Sequence, residues 1–235
     1  MKKAILSLVI VFAILLSACD YRYVESSEHN QRSIKVPFGK DYFYTDMSWY
    51  CTTYGESEIV AKLYRDEPVE YEEYACTMPG LPDEILVYES KGFEGWYECP
   101  SIFVKDGYDL PTFNSTDKIE SIYYGSVDEY GRPPQKEEYN ELDGDVEAFI
   151  EELYSYRTEY GVNKSWSNSD IGVDILDTQG YLYYKYKDIN GLLFQLCIYT
   201  TDDPDMYFTD YTVDESYYAI VFPKELLKEY FPQID

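Results

Sequence analysis

Histidine is almost missing from this chain: of 235 residues the only one is His29, close to the amino terminus and outside both stretches that pattern as folded. Ser-His-Asp and Cys-His catalysis need an imidazole held by a rigid frame, and metal sites built on histidine mostly need more than one. Positive charge is scarce as well. Lys and Arg number 19 against 45 Asp and Glu, a formal charge of −26. Such a surface repels phosphate backbones, so nucleic acid is not an expected partner. No Gly-x-Gly-x-x-Gly precedes a helix pattern and no Gly-Lys-Ser/Thr phosphate loop occurs, so nucleotide enzymes find no motif and no cofactor is expected.

What the chain does have is tyrosine, 29 residues of it, within a hydrophobic content of 45% that supports a packed core. A tyrosine ring fills a sheet face while its hydroxyl stays in contact with water or a polar partner, so sheets can form with few aliphatic residues. Rings beside carboxylates also suit sugars, which stack on the one and donate hydroxyls to the other.

The first nineteen residues, MKKAILSLVIVFAILLSAC, are unlike the rest. Lys2 and Lys3 precede an uncharged, mostly apolar run of fifteen residues, Ala4 to Ala18. That run is shorter than the roughly 20 residues that span a bilayer, and it reads as a signal peptide. The order of charge, apolar run, small residues and cysteine at Leu16-Ser17-Ala18-Cys19 resembles the lipobox of bacterial lipoproteins. The resemblance covers residues 1–19 alone. It implies a diacylglycerol on the thiol of Cys19, cleavage before that residue and an acylated amino terminus. A mature chain so modified is held at a membrane by more than one acyl chain and faces outside the cytoplasm. The alternative is a plain signal peptide that happens to meet a cysteine. Loss of Lys2 and Lys3 with the signal takes the charge from −26 to −28.

The expected organisation is a signal peptide (1–18), a lipidated cysteine with a polar spacer (19–37), a β-rich subdomain (38–112) and an α+β subdomain (113–235). In the β-rich part, strands are expected at 41–44, 47–54, 84–90 and 95–108. Turns are expected at Gly80-Leu81-Pro82-Asp83 and at 91–95. Residues 58–65 fit either a strand or a short helix. The second part reads as strand, helix, hairpin, strand and short helix, an antiparallel sheet with a helix on one face. Its clearest element is a helix carrying Val146, Phe149, Ile150, Leu153, Arg157 and Tyr160 on one stripe, capped by Asp143 or Asp145 and closed by Gly161. Asn190-Gly191 marks the hairpin turn. Pro223 opens the last helix.

Candidate contact residues are Trp96, Tyr97 and Trp166, the last in a polar loop where its ring has no evident core. Asp202, Asp203 and Asp205 supply the hard oxygens that Ca²⁺ prefers without matching an EF-hand, and an acidic loop is the plainer reading. With Cys19 lipidated, Cys51, Cys76, Cys99 and Cys197 are an even set that allows three disulfide pairings or buried thiols. The leading expectation is a lipid-anchored, non-enzymatic envelope protein that binds a small ligand or another envelope protein. The alternatives are a two-carboxylate glycan hydrolase and a Ca²⁺-binding surface protein.

Overall fold

Tyrosine, valine, isoleucine and threonine crowd a helix and fit a pleated surface, so a chain rich in them folds most readily as sheet. The computed structural model describes residues 22–25, 32–35, 42–44, 51–53, 56–63, 72–91, 102–105, 107–128, 134, 138–160, 172–213 and 216–233. Among them the fold is mostly antiparallel β, in two sheets, with two α-helices. The chain divides into two units, Met1–Leu110 and Pro111–Asp235.

The first unit contains β1 (Arg22–Glu25), β2 (Arg32–Lys35), β3 (Tyr42–Tyr44), β4 (Cys51–Thr53), β5 (Glu58–Leu63), β6 (Glu72–Thr77), β7 (Ile85–Lys91) and β8 (Ile102–Lys105). Its sheet runs β1-β2-β3-β8-β7-β6-β5. One finding differs from the sequence expectation and one decides an open reading. β1 and β2 fall inside the stretch expected to be a polar spacer, and they pair with Tyr23 opposite Ile34 and Val24 opposite Ser33. Each is only four residues long, too short to show a period, and pairing with a neighbour supplies what the pattern does not. Of residues 58–65, open between helix and strand, the described 58–63 form the strand β5, paired with β6 through a bulge between Ile59 and Ala61. The core here is Ala75, Cys76, Ile85, Val87, Ile102 and Phe103, each at most 1% exposed. Gly80 takes a positive φ of 83° in the turn that leads to β7, and Leu81 N–H donates to Met78 O at 3.0 Å.

The second unit contains β9 (Ile119–Ser126), β10 (Asn140–Glu141), α1 (Val146–Ser155), β11 (Arg157–Tyr160), β12 (Ile175–Tyr186), β13 (Leu192–Thr201), β14 (Met206–Val213), β15 (Ser216–Pro223) and α2 (Lys224–Tyr230). Its strands run β10-β9-β12-β13-β14-β15-β11. The expected hairpin is β12-β13, with Gly191 at φ 87° in the turn. Gly180 on β12 has a reason of its own: a Cβ there would meet Gly125 O at 2.6 Å and the Tyr124 ring, so only glycine lets β12 lie this close to β9.

The helix α1 starts as its sequence predicts. Asp145 Oδ1 accepts the N–H groups of Glu147 at 2.9 Å and Ala148 at 3.4 Å, which satisfies two of the unpaired donors of the first turn. Phe149, Ile150 and Leu153 are its buried stripe. It ends earlier than expected, with Tyr156 as C-cap. Arg157 and Tyr160 therefore leave the helical stripe and enter β11, where 157–160 pair with 217–220 of β15. A four-residue ladder with an already formed sheet outweighs one more helical turn, because local propensity differs by only tenths of a kcal/mol per residue. A second correction concerns the stretch after the hairpin, where the expected order has an acidic loop at Asp202, Asp203 and Asp205 and a single further strand. Met206–Val213 is the strand β14, paired along its length with β15.

Strand periodicity puts Leu182, Tyr184 and Tyr186 of β12, Phe194, Leu196 and Ile198 of β13, and Ile220 and Phe222 of β15 in the core, each at most 1% exposed. α1 contacts β9 and β15, and Phe149 meets Tyr230 and Phe231 at 5.1 and 5.7 Å between ring centroids. Phe113, fully buried, sits 5.4 Å from the rings of both Tyr184 and Tyr211. A core of phenols needs acceptors for its hydroxyls. Tyr154 donates to Phe113 O at 2.6 Å, Tyr186 to Thr112 O at 2.7 Å and Tyr211 to Asn114 Oδ1 at 3.2 Å. Tyr184 is the exception. Its hydroxyl is buried without a partner, as is Thr209 Oγ1.

An unsatisfied buried hydroxyl carries a desolvation penalty of about 1–3 kcal/mol, whereas a paired one contributes about 1 kcal/mol net. Tyr184→Phe is therefore expected to stabilise the protein by about 1 kcal/mol and Tyr186→Phe to destabilise it by about as much. Urea midpoints of the two variants against the parent give the comparison, and equal shifts of one sign would contradict this account of the core.

Candidate functional site

Of the residues expected to act, Cys19, Trp96, Tyr97, Cys99 and Trp166 lie outside the described residues, and Cys51 is described only as part of β4. No helix among the described residues is long and apolar enough to cross a membrane. Cys76 and Cys197 are both thiols, the first buried in the first unit and the second half-buried in the second. Asp202 and Asp203 hold the turn between β13 and β14: Asp202 Oδ1 accepts Asp174 N–H at 2.8 Å and Asp203 Oδ1 accepts Asp205 N–H at 3.0 Å. Among the described residues no group of three or more His, Cys, Asp or Glu side chains is arranged to hold a metal ion.

Chemistry gathers instead on the face of the second sheet that turns away from Phe113. Residues opposite each other across a ladder share a face, and Tyr199 pairs with Phe208. Strand alternation then carries Cys197 and Asp210 to the same side. Asp210 sits in mid-strand, and its Oδ2 accepts the Tyr217 hydroxyl at 2.5 Å. Burial raises the pKa of this carboxyl, and the Tyr217 hydrogen bond offsets part of the rise. Cys197 Sγ lies 3.9 Å from Thr178 Oγ1. Burial pushes its thiol up despite hydrogen bonds with Tyr199 and Thr178, which works against a nucleophilic thiolate. The Tyr199 hydroxyl is raised by burial and by the adjacent Cys197. Tyr160 and Tyr217 rings stand 6.1 Å apart and those of Tyr181 and Tyr183 6.0 Å. Tyr160, Tyr181, Tyr199 and Tyr217 are half-buried on this face with Asp210, whereas Tyr183 is buried and stacks on Tyr139 at 4.4 Å and Phe208 is buried beside Tyr199, so four partly open rings and one carboxyl remain.

On the core side of the same sheet, at its β11 edge, Arg157 lies between two rings. Its guanidinium carbon is 5.1 Å from the Tyr154 centroid and 4.9 Å from that of Tyr218. Nη1 donates to Asn114 Oδ1 at 2.9 Å and to the Tyr211 hydroxyl at 3.0 Å. A separate open cleft of about 470 Å³ is lined by Thr116, Asp117, Glu120, Asp145, Glu147 and Lys187, among others. Lys187 Nζ donates to Asp117 O at 2.7 Å and Glu120 pairs with Lys185 at 3.0 Å. Asp210, the carboxyl whose pKa is raised, does not line it.

Sequence reasoning missed Asp210 and Arg157 as site residues. The signal for Asp210 was an acid in the middle of the alternating run Tyr207-Phe208-Thr209-Asp210-Tyr211-Thr212-Val213, where β-formers leave no reason for a charge. No protein-family model, curated protein or solved structure matches this chain.

A carboxyl whose folded pKa is raised favours the fold fully below its unfolded pKa of about 3.9, and that contribution is lost as pH rises through the folded value. Asp210→Asn removes the penalty on the ionised form. The variant should match the parent in melting temperature near pH 4 and exceed it near pH 7, read by differential scanning calorimetry at both. A difference that does not change with pH would mean that Asp210 is not held as described.

Proposed function

We propose that this chain is a lipid-anchored extracytoplasmic protein that binds a hydroxyl-rich, glycan-like ligand without acting on it chemically. The observation that carries the binding part is the group of half-buried tyrosines, Tyr160, Tyr181, Tyr199 and Tyr217, on the face that holds Asp210. Ring faces stack on the apolar faces of sugars, and a carboxyl set among them accepts sugar hydroxyls in a site of lowered dielectric. The anchoring part rests on Leu16-Ser17-Ala18-Cys19 and the apolar run before it. On this reading the second unit is an α+β module whose sheet carries α1 on its inner face and presents the half-buried Tyr199, Tyr217 and Asp210 on the other to a partner or ligand. The membrane is met through the acyl chains on Cys19.

The second reading is a carboxylate-based glycan hydrolase. Its support is the raised pKa of Asp210, which is what a general acid requires. It also needs a second acid about 5–10 Å away in the same concavity, whereas the described cleft and Asp210 are separate.

Mass spectrometry of the native product should find the thioether-linked diacylglycerol on Cys19, and Cys19→Ser should release the protein from the membrane fraction. Calorimetric titration with chitohexaose and cellohexaose should show saturable binding that Tyr199→Ala weakens by about tenfold or more, with no new reducing ends on long incubation. Unmodified sulfur would remove the anchor, and release of reducing ends abolished by Asp210→Asn would favour the hydrolase.

A further inference from the structure

Arg157 is an exposed cation in a chain with 45 acids and 19 bases, and among the described residues it forms no ion pair. Lys185, by contrast, meets Glu120 at 3.0 Å. The guanidinium is nevertheless fixed from three directions. The Tyr154 and Tyr218 rings lie 5.1 and 4.9 Å from its carbon, and Nη1 spends both of its hydrogens on Asn114 Oδ1 and Tyr211 Oη. Nε and Nη2, a parallel pair of donors, make no hydrogen bond among the described residues. Asn114 adds to this. Its Oδ1 accepts from both Arg157 and Tyr211, which fixes the amide orientation and leaves the Nδ2 hydrogens as donors beside the guanidinium.

We propose that Arg157, with Asn114 at its side, is a receptor for a single carboxylate group. Two parallel N–H donors match the two oxygens of a carboxylate, and a guanidinium already immobilised loses little further freedom on binding. The alternative anion of the same shape is phosphate. A chain of charge −26 repels a doubly charged group more strongly than a singly charged one, which selects the carboxylate. The carboxylate belongs to a small organic acid or to the end of a peptide, which present the same two oxygens. This site lies on the core side of the sheet and does not depend on the tyrosine face or on the reading given to it.

The test uses the full chain in detergent and follows the Arg157 Nε–H and Asn114 Nδ2–H₂ resonances by ¹H–¹⁵N spectroscopy. The probes are benzoate, inorganic phosphate, and N-acetyl-trialanine as the free acid and as the amide. Both carboxylates, or one of them, should shift the two resonances saturably with a dissociation constant on the order of 1 mM. Benzoate alone points to a small acid, and the tripeptide acid binding more tightly points to a peptide end. Arg157→Lys keeps the charge but not the fork, and should weaken binding about tenfold. Asn114→Asp keeps the acceptor for Arg157 and Tyr211 but gives the guanidinium an ion-pair partner of its own, so it should weaken binding about tenfold or more with no loss of melting temperature. No saturation by either carboxylate, equal binding of the tripeptide amide, tighter binding of phosphate, or unchanged binding by a folded Asn114→Asp would each overturn the assignment.

Discussion

A buried phenol has to put its hydroxyl somewhere, and this requirement organises the second unit. Three tyrosines on three different elements, Tyr154 on α1, Tyr186 on β12 and Tyr211 on β14, all direct their hydroxyls at residues 112–114. That short segment, together with the Phe113 ring between Tyr184 and Tyr211, ties helix and strands to one line of acceptors. Aliphatic side chains would pack the same space without choosing a direction. Phenols choose one, because a buried hydroxyl that meets no oxygen within about 3 Å is penalised, as at Tyr184. Arg157 joins the same network: its Nη1 donates to Asn114 Oδ1 and to the Tyr211 hydroxyl, and its guanidinium lies within 5.1 Å of the Tyr154 and Tyr218 ring centroids.

What the sequence announced were the elements whose cause is local. The α1 start was legible because Asp145 caps it through bonds to residues two and three positions on. The β12-β13 turn was legible because Asn190-Gly191 is cheap in the left-handed conformation that Gly191 adopts. The elements that were not legible have distant causes. β11 exists because β15 offers it a ladder about sixty residues further along the chain. β14 hid behind Asp202, Asp203 and Asp205, where the first two carboxylates accept the N–H groups of Asp174 and Asp205 and say nothing of the strand that follows. β1 and β2 are four residues each and owe their extended form to one another. The same division holds for the site. Asp210 and Arg157 draw their character from neighbours 7 and 43 to 61 positions away, Tyr217 in one case and Asn114, Tyr211 and Tyr218 in the other.

The two faces of one sheet thus present different chemistry. The side away from Phe113 holds a carboxyl among rings, and the core side closes at its edge with a cation among rings. Both arrangements use tyrosine as the surrounding medium, since its ring lowers the local dielectric and its hydroxyl supplies the hydrogen bond. A composition so heavy in tyrosine and so short of histidine is consistent with recognition built on stacking and on fixed charges, with little use of groups that trade protons near neutrality.

Two of the three acceptors in the 112–114 segment are main-chain carbonyls, Thr112 O and Phe113 O. A carbonyl is offered by every amino acid alike. At these two positions the bond asks for a backbone path and not for a side chain, while Tyr154 and Tyr186 each have no substitute of equal reach. What holds the letters of the stretch is separate from this: Thr112 Oγ1 accepts Asn114 N–H at 3.3 Å, the Phe113 ring is fully buried and Asn114 supplies its acceptor from the side chain, so drift should keep the path and the letters together.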